Sequence, residues 1–368
     1  MAGDRLDRYR QLRDFARTSE PPGPKAVEGG EQAPEAGVRP PEQGGRFIVQ
    51  EHHATSLHWD LRLERDGALA SWAVPKGIPP HPRQDHLAVR TEDHPLEYLE
   101  FSGDIPAGSY GAGRMGIWDR GTYTSDKWDE REVLVTFHGE RTSGRYALFR
   151  TRGRNWMIHR MDPPLDPGRE LLPRGLRPMQ PVPGPMPDHQ EAWAFQAAWS
   201  ELRVAAACQG GRVALTAADG ADVTSRFPEL RALGEAMGTT EVVLDGEVVV
   251  AGADGRPDQD RLARRAGALT EAAARRLAGS SAAVLMLGDV VWLDGRSCAA
   301  LPYTERRRRL EDLDLAGPSW QVNPDHRGEG AALLAAASAQ GLPGIVGKRM
   351  DGPYRPGEAS PDWVFIAS

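Results

Sequence analysis

The sequence has few of the features that mark secreted or membrane proteins. It contains only two cysteines, Cys208 and Cys298, which cannot form a disulfide framework and fit a reducing compartment. The amino terminus is charged and lacks the apolar segment of a signal peptide. The most apolar run, residues 282 to 287, is too short to cross a bilayer. We therefore expect a cytoplasmic protein with no membrane partner.

Basic residues are not in excess either. The formal net charge is −7, with 45 Lys and Arg against 52 Asp and Glu. A nucleic-acid partner would therefore have to be bound by local clusters of Arg and Lys rather than by overall charge. The chain does have the material for globular cores, since 40% of its residues are hydrophobic. A length of 368 residues predicts about two domains.

The most informative stretch is FIVQEHHATSLHWDLRLE, residues 47 to 64. Its period-two alternation predicts two strands separated by a short break. In the second strand one face carries His58, Asp60 and Arg62, and the opposite face carries apolar residues that can pack inward. His52 ends the first strand and could join the polar face. An imidazole pair, a carboxylate and a guanidinium would then point into one space.

These side chains suit phosphoryl chemistry. Two imidazoles and one carboxylate, from His52, His58 and Asp60, suit a divalent transition metal such as manganese or zinc and leave positions open for substrate. The guanidinium of Arg62 can bind phosphate oxygens in a bidentate manner. The solvated face of an edge strand explains the same pattern, because periodicity alone cannot separate a metal ligand from a surface polar residue.

The same stretch, followed by SWAVPKG, EDHPLEY and IPAGSYGAG, resembles the 3′-phosphoesterase domain of bacterial DNA ligase D. The resemblance runs from about residue 9 to residue 162 and includes several motifs in order. It implies a mainly β, compact β-barrel-like domain that removes 3′-phosphates and 3′-terminal ribonucleotides from DNA. It also implies that His52, His58 and Asp60 bind Mn²⁺ or another divalent transition metal.

The resemblance also implies roles for residues outside this stretch. His94 would contact the phosphate and act as a proton donor, for which its ordinary pKa is suitable. Lys76 would be a second phosphate contact, and Glu92 and Tyr98 would orient groups nearby. An amino-terminal arm would bring three more side chains to the site, namely Arg13, Asp14 and Glu20. From the residues alone, a solvated lysine, a hydrogen-bonded turn histidine and a solvated helix face explain the same positions.

One position departs from the family pattern. The family carries an arginine just before the strand at residues 87 to 89, where this chain has His86. An imidazole is shorter than a guanidinium and is charged for only part of the time near neutral pH. We therefore expect weaker or more pH-dependent phosphate binding at this position.

Composition divides the chain into four parts. We predict a charged arm and a flexible tether over residues 1 to 46, a 3′-phosphoesterase domain over 47 to 162, a Pro-rich linker over 163 to 189 and a second domain over 190 to 368. The Gly-rich segment 105 to 113 lacks the spacing of a phosphate-binding loop. It is predicted to be a tight turn between strands.

The second domain resembles the adenylation domain of ATP-dependent DNA ligases, an α+β nucleotidyltransferase fold. Ligases attack ATP with the lysine of a Lys-x-Asp-Gly motif, because an amine is needed to form the phosphoramidate. The matching residues 198 to 201 are Ala-Trp-Ser-Glu, and alanine cannot be a nucleophile. Other positions that handle ATP in the family are also replaced, at Gly288, Pro343, Phe365 and Ala367.

Some of the ligase pattern survives, at Arg203, residues 245 to 247 and Lys348. The apolar strand pattern is kept as well, so we expect a ligase-like fold without ligase chemistry, without ATP and without a following OB-fold. The surviving Glu247 and Lys348 could bind a metal or an anion, or could form a leftover salt bridge.

The sequence thus predicts a bacterial, nucleoid-associated protein with an active end-processing domain and a pseudo-ligase domain that serves as a scaffold. Its expected partners are DNA 3′ ends in primer-template form, a Ku-like end-binding protein and a separate polymerase or ligase. Two other classes stay open. One is a non-enzymatic scaffold that binds DNA ends, and the other is an active ATP-dependent ligase, against which Ala198 argues.

Overall fold

The computed structural model describes residues 5 to 24 and 44 to 368. The chain divides into two compact units, Met1–Pro167 and Gly168–Ser368. Most of the predicted tether lies outside the described residues. Within the described part of the chain, no helix has the length and apolar character needed to cross a membrane.

Unit 1 contains a closed barrel. A short helix, α1 (Asp7–Gln11), precedes the barrel, and a 3₁₀ helix spans Leu96–Leu99. The described strands are β1 (Gly45–His53), β2 (Leu57–Arg65), β3 (Ala68–Val74), β4 (Asp85–Arg90), β5 (Gly103–Ile105), β6 (Gly113–Trp128), β7 (Glu132–Gly139), β8 (Ser143–Arg152) and β9 (Asn155–Arg160). They pair in the order β1-β2-β3-β4-β9-β8-β7-β6-β5, and β1 also pairs with β6, which closes eight of them into a barrel.

The alternation in β2 sorts its side chains as the sequence predicts. Trp59, Leu61 and Leu63 point into the barrel and join its hydrophobic core. The hairpin to β3 turns at Asp66 and Gly67, whose φ angles of 51° and 77° are those of a two-residue type I′ turn. The mainly β prediction for this unit is confirmed.

The outer face of β1 and β2 is covered rather than solvated. Tyr9 of the arm and Tyr98 of the 3₁₀ helix pack there with Ile48 and Met115 in a second hydrophobic cluster. Asp60 on the same outer face is consequently buried. The simple picture of a solvated edge-strand face does not describe these strands, because β2 is central in the sheet and the arm lies over it.

Unit 2 combines two sheets with helices, as predicted for an α+β domain. Its strands are β10 (Gln180–Pro183), β11 (Trp193–Ala198), β12 (Arg203–Gln209), β13 (Arg212–Ala217), β14 (Val242–Val250), β15 (Ala283–Leu293), β16 (Arg296–Ser297), β17 (Ala316–Gly317), β18 (Trp320–Val322), β19 (His326–Arg327), β20 (Gly344–Arg349) and β21 (Ala359–Ala367). Its helices are α2 (Arg231–Met237), α3 (Gln259–Ala266), α4 (Glu271–Ala278), α5 (Tyr303–Asp312) and α6 (Gly330–Ala339). Three 3₁₀ helices span Gln190–Ala192, Thr224–Arg226 and Pro228–Leu230.

Residues of both sheets of unit 2 line a small cleft, which is described below. One sheet has the order β10-β21-β20-β11-β19, and the other has the order β13-β12-β14-β15-β18-β17 with β16 added on β15. The main core of the unit is formed by apolar residues of β12 to β15 together with residues of α3 and α5.

Part of the segment predicted as a linker is integrated into unit 2. Strand β10 pairs in parallel with β21, and Met179 just before it is fully buried. β10 lies at the edge of its sheet, where Pro181 and Pro183 are tolerated because a proline has no N–H to donate to a second neighbour. The density of proline in this segment therefore indicates an edge strand as well as an extended connection.

Candidate active site

The register of two strands builds a metal-ligand set on the outer face of unit 1. In the antiparallel β1–β2 pair His52 lies opposite His58, and Gln50 lies opposite Asp60. Directly opposed residues share a face, and residues two apart in one strand share it as well. His52, His58 and Asp60 are therefore brought together, and one ligand atom from each lies within 4.8 Å of the others.

In each of the two imidazoles, one ring nitrogen is hydrogen-bonded to a backbone carbonyl and the other faces the carboxylate of Asp60. His52 Nε2–H donates to the Gly111 carbonyl at 2.9 Å, and His58 Nδ1–H donates to the Ser56 carbonyl at 3.0 Å. His52 Nδ1 lies 3.5 Å from Asp60 Oδ2, and His58 Nε2 lies 3.7 Å from Asp60 Oδ1. These two distances are longer than good hydrogen bonds.

This arrangement fits a divalent transition metal. His52 Nδ1 is buried and has no hydrogen-bond partner within the described structure, which is costly for a polar atom unless something else binds it. A backbone carbonyl that fixes the other ring nitrogen is the usual support of a histidine ligand. Two imidazole nitrogens and a carboxylate oxygen suit zinc, manganese or iron.

Arg62 is held beside this set by a buried fork of hydrogen bonds. Its Nε donates to Gln50 Oε1 at 2.7 Å, its Nη1 to Ser71 Oγ at 3.1 Å and its Nη2 to Asp60 Oδ2 at 2.9 Å. Burial disfavours the Asp60 anion, but Arg62 and the two imidazoles outweigh burial and hold the pKa of Asp60 well below its ordinary value. Asp60 is therefore a carboxylate at neutral pH.

The arm supplies a second buried network next to Arg62. Arg13 donates to Glu20 at 2.7 Å, to Glu92 at 3.0 Å and to His94 Nε2 at 3.2 Å. Glu20 in turn accepts a hydrogen bond from the Tyr98 hydroxyl. The structure thus places Arg13, Glu20, Glu92, His94 and Tyr98 together, as the family resemblance implies.

His94 is neutral and hydrogen-bonded through both ring nitrogens. Its Nδ1–H donates to the Glu92 carbonyl at 2.9 Å, and its Nε2 accepts from Arg13. Burial, and then the guanidinium groups of Arg62 and Arg13, hold the pKa of His94 well below its ordinary value. The imidazole is therefore neutral and accepts a hydrogen bond at Nε2, and its role as a proton donor during the reaction stays a prediction.

Three residues singled out in the sequence stand apart from this network. Asp14 is exposed, and one of its carboxylate oxygens accepts from the Ala16 amide. Lys76 is exposed in the turn after β3. His86 lies on the same face of β4 as the core residue Ala88, and its Nδ1 is 2.7 Å from the Gly77 carbonyl. Nδ1 therefore contacts the turn after β3, and the expected weaker or more pH-dependent phosphate binding at this position stays a prediction.

Sequence reasoning missed two residues that position Arg62. Gln50 is fully buried and bridges Arg62 to the carbonyl oxygens of Tyr98 and Phe101. Ser71 passes a hydrogen bond from Arg62 to the Leu69 carbonyl. The alternation of β1 places Gln50 on the same face as His52, so the period-two pattern could have identified it.

The cleft of unit 2 contains the surviving ligase-like residues, and they are paired with one another. Arg203 bonds to Asp245, and it donates to Glu247 at 2.8 Å. The other Asp245 oxygen accepts from the Tyr354 hydroxyl at 2.5 Å. Glu247 also accepts from the backbone amide of Trp199 at 2.7 Å. These carboxylates therefore already have donors.

The space in this cleft is small. The cavity measures about 10 Å³, which is room for about one water molecule. Lys348 Nζ fills one side, where it donates to the Gly288 carbonyl at 2.8 Å and lies 4.1 Å from the centre of the Trp363 ring. A Cβ atom on Gly288 would come within 2.9 Å of Gln196 Oε1, so a larger residue there would require the Gln196 side chain to move.

Two family descriptions match separate parts of the chain. Residues 50 to 150 match the DNA Ligase D 3′-phosphoesterase domain, and residues 187 to 366 match the ATP dependent DNA ligase domain. Both resemblances predicted from the motifs are confirmed by these matches.

Similarity to known proteins extends across nearly the whole chain. The multifunctional non-homologous end joining protein LigD of Mycobacterium bovis is 40% identical over 368 residues, which is 98% of this chain and 45% of that protein. LigD of Pseudomonas aeruginosa is 33% identical over 419 residues, which is 98% of this chain and 47% of that protein. The chain spans less than half the length of these relatives.

A solved structure is similar to part of the chain. Mycobacterial DNA ligase D complexed with ATP and MES is 32% identical, with a TM-score of 0.46. The match covers 52% of this chain and 60% of that one.

Proposed function

The chain is a homologue of LigD that carries a DNA ligase D 3′-phosphoesterase domain followed by an ATP-dependent DNA ligase domain, and we propose that unit 1 is a metal-dependent phosphoesterase acting on DNA 3′ ends. It removes 3′-phosphates and 3′-terminal ribonucleotides during the repair of DNA breaks by end joining. The observation that carries this proposal is the set of His52, His58 and Asp60, whose free ring nitrogens face one carboxylate.

The three candidate ligands indicate which role a bound metal would have in the reaction. His52, His58 and Asp60 would hold a divalent ion, which would supply Lewis-acid stabilisation of the phosphate when bound. We propose Mn²⁺ as the natural ion, because the carboxylate–imidazole donor set suits it. Asp60 also orients Arg62 through their 2.9 Å hydrogen bond, so one residue links the metal site to the phosphate site.

Arg62 has donors left for the substrate. A guanidinium has five N–H donors. Gln50, Ser71 and Asp60 use three of them, so two remain. A rigidly held guanidinium stabilises charge that develops on phosphate oxygens in the transition state, because it needs no reorganisation at that moment.

The arm network supplies the proton chemistry. When the phosphate displaces Arg13 from His94, a neutral imidazole becomes available at Nε2. It can accept a proton from the attacking water and then donate it to the leaving oxygen. In this scheme Arg13 exchanges its bond to His94 for a bond to the substrate, while Glu20 and Glu92 keep its side chain in place.

Unit 2 is proposed to be a pseudo-ligase that neither binds nor transfers AMP. Ala198 provides no nucleophile, and the surrounding charges are already paired in a cleft of about 10 Å³. The unit serves as a scaffold within an assembly that contains DNA ends, a Ku-like end-binding protein and a separate polymerase or ligase. We propose a cytoplasmic location for this assembly.

One observation favours a second candidate function for unit 1. Arg62 and His94 are 2% and 3% exposed beneath the arm, so a protein that keeps this arrangement would bind DNA ends without turnover. An active ligase is the weakest alternative, since it requires chemistry at Ala198.

Hydrolysis of a 3′-phosphorylated primer annealed to a template separates these functions. Purified full-length protein should release inorganic phosphate in the presence of MnCl₂ and should stop when a chelator is added. Release that continues in chelator, or no release by a protein that binds the same DNA, would count against the metal-dependent phosphoesterase.

A further inference from the structure

A cavity of about 120 Å³ opens beside the phosphate site of unit 1. The arm forms one wall with Arg13, Asp14 and Arg17, and the loop that joins β5 to β6 forms the other with Ser109 and Tyr110. Both walls are connected to the site. Arg13 donates to His94, and the Gly111 carbonyl in the same loop accepts from His52. The walls of the cavity thus contact two residues of the candidate site, His94 and His52.

The loop presents an aromatic ring at this cavity. Tyr110 is 48% exposed, and the Arg13 guanidinium lies 5.5 Å from the centre of its ring. Gly108 and Gly111 on either side have φ angles of 84° and 73°, a region that favours glycine, so they turn the chain around the tyrosine. An exposed aromatic ring beside a bound strand end is a platform on which a base can stack, whatever its identity.

The arm presents a free positive charge at the same cavity. Arg17 is exposed, and no hydrogen bond or ion pair holds its guanidinium within the described residues. Arg5 and Arg13 of the arm are paired, since Arg5 contacts Asp66 and Asp93, and Arg13 contacts Glu20. A guanidinium with no carboxylate partner next to a phosphate site can bind a further phosphate of the same strand.

We propose that this cavity is the subsite for the nucleoside that carries the scissile 3′-phosphate, with Tyr110 stacking on its base and Arg17 binding the phosphodiester on its 5′ side. The proposal rests on the proposed function, because the terminal phosphate must sit at the metal for its nucleoside to reach the cavity. The contact with the base is sequence-tolerant stacking, which suits an enzyme that trims any strand end. It also explains how a chain of net charge −7 holds DNA at this point.

The test measures binding rather than hydrolysis. A fluorescent primer-template that ends in a non-hydrolysable 3′-methylenephosphonate keeps the terminal anion but is not turned over, and its affinity is measured by anisotropy with the full-length protein. A second probe has an abasic terminal nucleotide. Wild type should bind the abasic probe about ten-fold more weakly, because one stacked base is lost. Tyr110→Ala should bind the normal probe about ten-fold more weakly and should not distinguish the two probes. Tyr110→Phe should behave as wild type.

Arg17 is tested in the same way with a third probe. Its first internucleotide linkage is a neutral methylphosphonate. Wild type should bind the methylphosphonate probe more weakly than the normal probe, by the same factor by which Arg17→Gln binds the normal probe more weakly than wild type does. Arg17→Gln should bind the methylphosphonate probe and the normal probe equally well. The slope of log affinity against log salt should also fall by about one in Arg17→Gln. Arg152→Gln is the matched control, since Arg152 is exposed on the turn between β8 and β9 and should keep the wild-type response to the methylphosphonate.

Equal affinity of wild type for the normal and abasic probes would overturn the stacking role, and this comparison needs no variant to fold. An abasic penalty that persists in full in Tyr110→Ala would overturn the assignment to this residue. Loss of phosphate release with the binding pattern intact would instead refute the proposed hydrolysis and support the subsite.

Discussion

Both units bury arginines and carboxylates together, but the two networks differ in what they leave unpaired. In unit 1 His52 Nδ1 is buried without a hydrogen-bond partner and faces Asp60, whose carboxylate is shared with Arg62. In unit 2 the carboxylates of Asp245 and Glu247 already receive bonds from Arg203 and from neighbouring donors. A buried acceptor with no donor is costly unless a ligand completes it, so the first network indicates a binding site. The network of unit 2 leaves a donor without a partner, Arg203 Nε, but no carboxylate.

The network of unit 1 also has more open space beside it than the network of unit 2. The cavity at the arm of unit 1 measures about 120 Å³, whereas the cleft of unit 2 measures about 10 Å³. Side chains of unit 2 itself, Gln196 and Lys348, lie where a larger residue at position 288 would have to fit. The absence of a lysine at position 198 and the small size of the cleft are thus separate features. We therefore expect that restoring the lysine alone does not restore room for ATP.

The largest expected effect is on the metal ligands of unit 1. His58→Ala should lower phosphate release from a 3′-phosphorylated primer about a thousand-fold or more, because the Lewis acid is lost. His58 is only partly buried, so its removal should leave the fold intact, as circular dichroism would check. Asp60→Ala should have a similar effect on activity. Manganese binding measured by calorimetry should disappear in both variants.

His53→Ala provides the control for this prediction. His53 is the exposed neighbour of His52 and contacts Glu51, so its loss should change neither activity nor metal binding. Full activity in both His58→Ala and Asp60→Ala would show that the set of His52, His58 and Asp60 is not the catalytic metal site.

The next effect concerns the stability of unit 2 and its pH dependence. Burial lowers the pKa of Lys348 to about 8, although Asp289 and Asp245 oppose the shift. The unfolded lysine has a pKa of about 10.4, so between these values the unfolded chain binds more protons than the folded one. The free energy of unfolding should therefore rise with pH across this window, by about 3 kcal/mol from this residue.

The difference between wild type and Lys348→Met isolates this contribution from other groups that titrate in the same range. Urea unfolding at several values between about pH 7.5 and pH 10.5 would measure it. The wild-type curve should rise relative to that of Lys348→Met, while phosphate release by unit 1 should be the same in both proteins. Parallel curves would mean that Lys348 keeps its ordinary pKa and that the cleft is wetter than its size indicates.

A smaller effect is expected at Arg62, which uses three of its N–H donors within the unit 1 network and keeps two for the substrate. Arg62→Lys keeps the charge, but an ammonium group cannot bond to Gln50, Ser71 and Asp60 in a planar fork and still reach a phosphate. The catalytic rate should fall about ten-fold or more. Arg65→Lys on the same strand is the control, since Arg65 lies over the Trp128 ring away from the metal ligands. An unchanged rate in Arg62→Lys would assign Arg62 a purely structural role.

The sequence is sufficient to predict the parts of unit 1 that depend on local periodicity. Alternation in β1 and β2 predicts which residues point into the barrel, and it places His58, Asp60 and Arg62 on one face. The turn at Asp66 and Gly67 follows from its composition. Periodicity does not reveal that the arm covers this face, because that contact joins residues about eighty positions apart, such as Arg13 and His94.

The protonation state and the hydrogen-bond partners of individual side chains are predicted less well, because they too depend on contacts between distant parts of the chain. The low pKa of His94 arises from burial and from two guanidinium groups that come from other parts of the chain. His86 follows the period of β4, yet its partner is the Gly77 carbonyl in the preceding turn. In unit 2 the motif comparison identifies the missing lysine, but the closure of the cleft by Gln196 and Lys348 needs three-dimensional packing.

The smallest expected effect is the absence of a covalent AMP adduct on unit 2, with or without a lysine at position 198. This experiment tests the comparison between the two units most directly. Wild type incubated with radiolabelled ATP and a divalent metal should form no covalent adduct, because alanine offers no amine. Ala198→Lys restores the amine at the end of β11, but it should still form no adduct and seal no nicked DNA. The reason is that Lys348 occupies the space beside Gly288 in this small cleft and Arg203 bonds to two carboxylates, which leaves little room and few free charges for ATP.

A double variant, Ala198→Lys with Lys348→Met, separates pocket closure from the other replacements. It should not gain activity either, since Pro343, Phe365 and Ala367 remain in place of charged family residues. An adduct on the wild-type chain would refute the pseudo-ligase proposal outright. An adduct on Ala198→Lys alone would show that the cleft opens in solution, so that unit 2 would differ from an active ligase by one nucleophile rather than by a closed pocket.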